Sequence, residues 1–434
     1  MSHLGDRTSW LRAAVVSTAA VLVAATLAGC SSSSTAAGSS SSAAGSSSSA
    51  AGASSSAAGS SGSAAGSSGT AAGSSGTAAG PSGGSAVSAA DLATLKQALA
   101  DAAKQPTFTA QGPAFSVAGL AGKKILSMPV SSQVKTCDTN ARQIVDIAKS
   151  VGMTGSTYFQ NNGGPQAWVQ GMNLAISQHY DGIALVCGID PAALAPQMAA
   201  AKAAGIKVVD IHLADVSEPA STLIAGQTDG QFDQAMRMGV ASALTRANGS
   251  AIDSLVITSN ENPPSIGMGN TVTQEFKKYC AACKVDSINV SIPDWSTKLT
   301  SAVQSALVRN PNIKAVFTVY DAQTPFVLPA LKASAHGAMM YGFGMTPDVV
   351  PLMADPSNLL GTNMGPDASW MAYSGADQLF RVMSGQPAIA ASKAFAPYRL
   401  FTPANVAEFS AAGKGFGDSY VKGYRSLWQN APAG

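Results

Sequence analysis

The sequence predicts an α/β protein of two doubly wound, parallel-sheet lobes joined by a three-strand hinge, carried behind a long segment that cannot fold. Three observations lead there. Short β-rich runs alternate with amphipathic stretches from Lys123 onward, and the alternation starts again near Gly226. The runs are apolar on both faces, as strands buried inside a parallel sheet are. Set apart from its low-complexity part, the chain keeps about 350 residues for folding, more than one core usually organises.

The elements follow in order. Arg7 and Arg12 accompany an apolar run from Leu11 to Ala28, interrupted only by Arg12, Ser17, Thr18 and Thr26, which has the shape of an export signal. It ends on Leu27-Ala28-Gly29-Cys30, which resembles the lipobox of bacterial lipoproteins, so Cys30 is the expected lipid attachment point and residues 1–29 the signal peptide. The competing reading is an uncleaved anchor, since the run is barely long enough to span a bilayer. Residues 30–86 are then a lipidated cysteine and a Ser/Ala/Gly tether, with the cassette SSGTAAG repeated at 67–73 and 74–80. Such a segment has no large apolar side chains to offset its ordering entropy. Its root-mean-square reach is about 40 Å.

Ser88-Ala-Ala-Asp91 resembles a capping box, with Leu92, Leu95 and Leu99 following at helical spacing, and Pro106 ends that helix. Strands are expected at 123–130, 155–159, 181–187 and 206–211, separated by helices at 141–151, 166–179 and 192–204. The second series alternates helices at 231–246, 272–280, 296–308 and 325–334 with strands at 254–258, 285–290, 313–319 and 339–343, and closes with a short helix from Pro347. Phe416, Tyr420, Tyr424 and Trp428 form a stripe that docks the C-terminus.

Charge and cysteine usage narrow the function. After signal removal the chain carries one net positive charge and no Lys/Arg cluster, so it lacks an electrostatic footprint for nucleic acid. Of five cysteines, four remain beyond Cys30, and an even number in an oxidising compartment favours bridges. Cys280 and Cys283 suit a local disulfide, with half a zinc site, a redox motif or free thiols as the other readings. No second cysteine pair or suitably spaced His accompanies them, and no metal or cofactor is implied. Cys137 and Cys187 follow the first and third strands, which are neighbours in the order 2-1-3-4-5, and so are candidates for a bridge at the rim of a cleft.

Residues 159–194, FQNNGGPQAWVQGMNLAISQHYDGIALVCGIDPAAL, resemble the type I periplasmic sugar-binding proteins, ribose-binding-protein-like receptors of ABC transporters. KAAGIKVVDI at 202–211, GQTDGQFDQAMRMG at 226–239, NPNIKAVFTVYD at 310–321, YGFGMTPDV at 341–349 and FGDSYVKGYRSLW at 416–428 continue the likeness in the same order. The resemblance implies an extracytoplasmic receptor that closes on a small solute, works as a monomer and delivers its ligand to an ABC permease. It implies chain crossings near Ala225, Leu360 and Tyr398, dividing the protein into 87–118, an N-terminal helix and extended segment; 119–225 with 361–397, the first lobe; and 226–360 with 398–434, the second. A ligand-sensing receptor for a membrane signalling partner would use the same cleft.

Ligands of open α/β sheets bind beyond the carboxyl ends of strands, which singles out Gln133, Asp190 and His212 in the first lobe and Asn260, Trp295, Tyr320 and Asp321 in the second. Asn262 lies on one of the same loops. Trp295 falls where the family has a stacking aromatic. The departures point away from a pentose: Thr136 and Cys137 stand near the family's paired aromatics, His212-Leu213 replaces Asp-Arg, Gly344 replaces the Asp of GFD, and residues 262–276 lack the expected Arg. A less hydroxylated, amphipathic or aromatic solute fits better. Each candidate has a structural reading beside the functional one: Trp295 and Asp321 as helix caps, His212 as a satisfied polar residue, Trp168 and Trp370 as core. Ser419-Tyr-Val-Lys422 matches a penicillin-interacting pattern but lacks its companion motifs, and no other catalytic motif appears, so no enzyme is expected.

Overall fold

The computed structural model describes residues 86–159, 162–410 and 414–431. The signal segment, Cys30 and the tether up to residue 85 lie outside the described residues. Among the described residues no helix is long and apolar enough to cross a membrane.

The first helix, α1 (Ala89–Ala102), starts as its sequence dictates. The Ser88 hydroxyl accepts from the Asp91 backbone N–H at 3.0 Å and donates to the Asp91 carboxylate at 2.7 Å, satisfying one of the orphan donors of the first turn. After the short strand β1 (Phe115–Ser116) come β2 (Lys124–Pro129), α2 (Lys135–Lys149), β3 (Thr154–Thr157), α3 (Pro165–Ser177), β4 (Gly182–Val186), α4 (Ala195–Ala203), β5 (Lys207–Asp215) and β6 (Gly226–Gly230). Five of these strands make a parallel sheet in the order β3-β2-β4-β5-β6. The buried runs of β2 and β4 confirm why their sequences are apolar on both faces.

The second series runs α5 (Phe232–Arg246), β7 (Asp253–Thr258), α6 (Pro263–Tyr279), β8 (Lys284–Asn289), α7 (Thr300–Arg309), β9 (Ile313–Thr318), α8 (Thr324–Ser334), β10 (Met339–Phe343), α9 (Val349–Ala354) and β11 (Leu360–Pro366). The chain then forms α10 (Ala368–Met383), returns as β12 (Tyr398–Phe401), and ends in α11 (Ser419–Leu427) and β13 (Trp428–Gln429). The second sheet has the order β12-β11-β10-β9-β7-β8, parallel except for β12. Both sheets are therefore doubly wound.

The chain passes between the sheets later than the sequence suggests. Gly226–Gly230 pairs with β5 in the first sheet, so the passage follows Gly230 rather than Ala225. Leu360–Pro366 pairs with β10, so the return follows Pro366 rather than Leu360. Both segments are polar or glycine-rich, and their strand state comes from sheet neighbours rather than from propensity. The third passage precedes Tyr398, as expected, but α11 packs on α10, which itself lies against α2, β4, β5 and β6; the C-terminal helix thus sits on the first sheet's side. Gly375 permits that approach, since a Cβ there would meet the Ile211 side chain. The aromatic stripe docks as expected, with Tyr420 stacked on Trp370 at 4.7 Å and Trp428 on Tyr373 at 5.7 Å, whereas Phe416 precedes the helix and packs on Phe401.

Residues 86–118 form a strap over both lobes. Val87 N–H donates to Gly249 O, α1 packs on α5 and β12, and Arg399 of β12 donates to Ala103 O at 2.8 Å. Beyond Ala103 the strap changes partners: Phe108 packs on Tyr424 at 5.0 Å, and β1 pairs with β13. A buried ion pair ties it down. Arg381 bonds Asp377 at 2.7 Å and Pro113 O at 2.9 Å, while Trp428 Nε1 donates to the other Asp377 oxygen at 2.8 Å. Every charged group of that pair has partners, the condition under which a buried pair is tolerated.

Two pairs of cysteines stand at disulfide distance. Cys137 in α2 and Cys187 at the end of β4 have Cα atoms 5.9 Å apart, and Cys280, which ends α6, is 5.4 Å from Cys283.

Beneath the crossings lies a set of buried acids. Burial, followed by the neighbouring Glu218 and Asp215, pushes Asp229 up to about 7 despite hydrogen bonds from Gln227 and the Ala214 N–H, and burial beside Asp229 raises Asp210 well above the usual carboxylate range. The folded protein thus holds these protons more tightly than the unfolded chain. The contribution of Asp229 to stability is complete below the unfolded value of 3.8 and is lost as pH rises through about 7. Asp229→Asn should therefore gain relative to wild type as pH rises, by a few degrees in melting temperature between pH 5 and pH 8. Paired thermal melts across that range check it; a constant offset would refute the assignment.

Candidate functional site

The carboxyl ends of the two sheets face each other, and the loops that leave them enclose a cavity of about 330 Å³, within the size range of small-molecule sites. The first lobe contributes Gln133 to Cys137 after β2, Cys187 after β4 and His212 in β5. The second contributes Trp295 after β8, Tyr320 and Asp321 after β9, and Gly344, Thr346 and Asp348 after β10.

Five of the seven residues singled out from the sequence line this space: Gln133, His212, Trp295, Tyr320 and Asp321. Asp190 and Asn260 do not. The Asp190 carboxylate accepts from Ala192 N–H at 2.8 Å and so caps the turn at its own strand end. Asn260 is exposed, and its backbone N–H donates to the Asn289 side chain. Both lie on the correct loops but point elsewhere, because a strand end fixes the loop and not the side-chain direction.

Trp295 is more deeply built in than a stacking wall requires. It is 2% exposed, and its indole N–H donates to Ser259 Oγ and Val290 O, both at 3.1 Å. The ring lies 5.8 Å from Tyr320. Tyr320 in turn donates its hydroxyl to Asn262 Oδ1 at 2.9 Å, and the Asn262 amide donates across the lobes to Gly188 O at 2.8 Å and Cys187 O at 3.1 Å. At the mouth Lys135 and Asp348 form a second inter-lobe contact at 2.6 Å, exposed on both sides and so of small energetic weight.

Asp321 is 5% exposed and ties three strand ends together, accepting from Thr346 N–H at 2.7 Å and from the Asn363 amide at 2.5 Å. Burial pushes its carboxyl up to about 7, and those hydrogen bonds only partly offset it. It stands against Gly344: a Cβ on that glycine would lie 3.4 Å from Asp321 Oδ2, and its φ of +126° is one that side chains rarely adopt. The position that carries Asp in the family's GFD motif is thus left bare, with the carboxylate of another strand end beside it. Burial holds His212 down to about 3, so its ring is neutral, 5.3 Å from Phe232 and 5.7 Å from Tyr398.

Sequence reasoning passed over Phe232, Phe326, Phe343 and Met371, all of which line the cavity. Phe232 opens α5 and Phe343 ends β10, positions that read as ordinary core from periodicity alone. Thr136, noted only as a departure, and Cys137, noted also as a bridge candidate at the cleft rim, line it as well.

A family model, that of the periplasmic binding protein domain, matches residues 126–387. No curated protein sequence matches the chain. Solved structures do. A sugar ABC transporter from Yersinia enterocolitica is 17% identical over 71% of this chain and 94% of its own, with a TM-score of 0.59. An ABC transporter solute-binding protein from Mycobacterium smegmatis with bound glycerol is 16% identical, covering 67% and 98%, at 0.57. A 5-methylthioribose transporter solute-binding protein from Thermotoga lettingae is 14% identical, covering 71% and 93%, also at 0.57. At such identities the likeness is one of fold, and that fold is the two-lobe one built by the sheets above. Because the family model covers more than half of the 434 residues, the chain belongs to the periplasmic binding protein domain family.

Proposed function

We propose that the protein is an extracytoplasmic solute-binding lipoprotein of an ABC importer, which takes a small organic solute between its lobes and presents the closed form to a membrane permease. The cavity carries this reading: it lies at the carboxyl ends of both sheets and draws its walls from both lobes. Gln133, His212, Trp295, Tyr320 and Asp321 are the proposed ligand contacts. Cys30 is the proposed lipid anchor, and Cys137–Cys187 and Cys280–Cys283 the proposed disulfides. Families of this kind bind rather than transform their solutes. The solved relatives' sugar and polyol ligands support a small-solute site, while the absence of Arg from these walls supports a different ligand chemistry.

A thermal-shift screen of sugars, polyols and small organic acids and amines tests the reading, because a ligand at a hundred times its Kd stabilises by about 2.7 kcal/mol. A complete lack of shift across the screen would sink it.

Closure is expected to depend on Asn262. Asn262→Ala removes the partner of the Cys187 and Gly188 carbonyls, a contact made only when the lobes are together, so ligand affinity should fall about ten-fold. The melting temperature of the free protein should fall as well, because the Tyr320 hydroxyl loses its partner within the second lobe. Calorimetry with a ligand from the screen measures it; unchanged affinity would mean that Asn262 does not favour the closed form.

For localisation, Cys30→Ser should release the protein from the membrane fraction without affecting its fold, because Cys30 precedes a tether with no core-forming side chains. Retention at the wild-type level would make the apolar run itself the anchor.

A further inference from the structure

The cleft carries a continuous ribbon of rings. Ring centres of Trp295 and Tyr320 are 5.8 Å apart, Tyr320 and Phe343 6.5 Å, Phe343 and Phe232 5.5 Å, and Phe232 and His212 5.3 Å. Phe326 adds a half-buried ring to the same lining. A sugar would need forked donors and acceptors for its hydroxyls; among the described residues the lining holds no Arg, Asn or Glu.

Its charges are unbalanced in one direction. The lining holds two carboxylates, Asp348 and Asp321, and one cation, Lys135. Lys135 is taken by Asp348 at the mouth, at 2.6 Å. Asp321 receives only neutral donors, Thr346 N–H and the Asn363 amide, and among the described residues no Lys or Arg forms an ion pair with it. The histidine of the described lining, His212, is neutral. A carboxylate in such surroundings is costly until a cation joins it, and aromatic faces within about 6 Å of a cation attract it further.

We propose that the cleft binds an organic ammonium solute, with the charged nitrogen at Asp321 and an apolar or aromatic body against Phe326, Phe343 and Phe232. The proposal rests on the cleft being the solute site. It explains the aromatic lining, the lack of Arg and the uncompensated acid together. Fastening alone needs two acceptor oxygens at this position, for Thr346 N–H and the Asn363 amide, and not a charge beside aromatic walls.

The test pairs charged probes with uncharged counterparts of the same shape: choline with 3,3-dimethylbutan-1-ol, and phenethylamine with 2-phenylethanol. Ribose, glycerol and myo-inositol form a third group. Thermal shift and calorimetry on the purified full chain should show each ammonium binding at least ten-fold more tightly than its neutral counterpart. Asp321→Asn, with circular dichroism to confirm that it is folded, should remove that preference. Phe326→Leu, at a half-buried position that does not endanger folding, should weaken choline several-fold. Equal binding of charged and neutral partners, or an unaltered preference in Asp321→Asn, overturns the proposal. Binding of the polyols alone overturns it while leaving the solute-binding reading intact, and no binding by any of the three groups overturns both.

Discussion

The cleft exists in its observed form because one buried amide joins the two lobes. Asn262 Nδ2 reaches the Cys187 and Gly188 carbonyls of the first lobe, and its oxygen is held by the Tyr320 hydroxyl in the second. Buried polar groups of this kind are costly when unpaired and nearly neutral when paired, so the link defines one separation of the lobes more sharply than apolar contact would. Everything that lines the cavity takes its spacing from that link. Cys187 sits on the same carbonyl-bearing turn, Tyr320 is both a partner of Asn262 and a wall, and Asp321 is the next residue.

The two lobes treat polarity differently around this link. The first lobe buries acids under the crossings, Asp210 and Asp229, where burial keeps them protonated further up the pH scale than in the unfolded chain. The second places its acid, Asp321, at the cavity wall and uses it to fasten the loops after β9 and β10 to β11. A group that is at once a structural fastener and part of the lining has a narrow range of tolerated replacements. That coupling of loop geometry to site chemistry is set within a few residues of Gly344, whose bare backbone makes room for it.

Much of this architecture was legible from period and punctuation. β2, β4, β9 and β10 are apolar runs bounded by turn residues, and their order follows once they are recognised as parallel. α6 was harder: it begins at Pro263 rather than Val272, because two prolines and two glycines read as a loop. Proline is nevertheless welcome in the first turn, and Gly269 is required by packing on Thr258, a contact no local pattern contains. β6 and β11 carry their strand state from neighbours. At the site, the rule of strand carboxyl ends found the loops and five lining residues, yet it could not separate Asp321 from Asp190, since that distinction depends on which partner each carboxylate meets. Phe232 and Phe343 escaped because a ring facing a cavity and a ring facing a core have the same sequence signature.

The strap of residues 86–118 bears on how far the lobes can travel. Its first part is fastened to α5 and β12, and its second to α10, α11 and β13. The link from Ala103 to Phe108 is five residues long, which spans at most about 18 Å when taut. Opening therefore has a mechanical stop that the three hinge crossings alone do not provide: beyond that extension either the Arg399 clasp on Ala103 or the seat of Phe108 must give way. The N-terminal segment is thus built as a check-strap on any parting of the lobes.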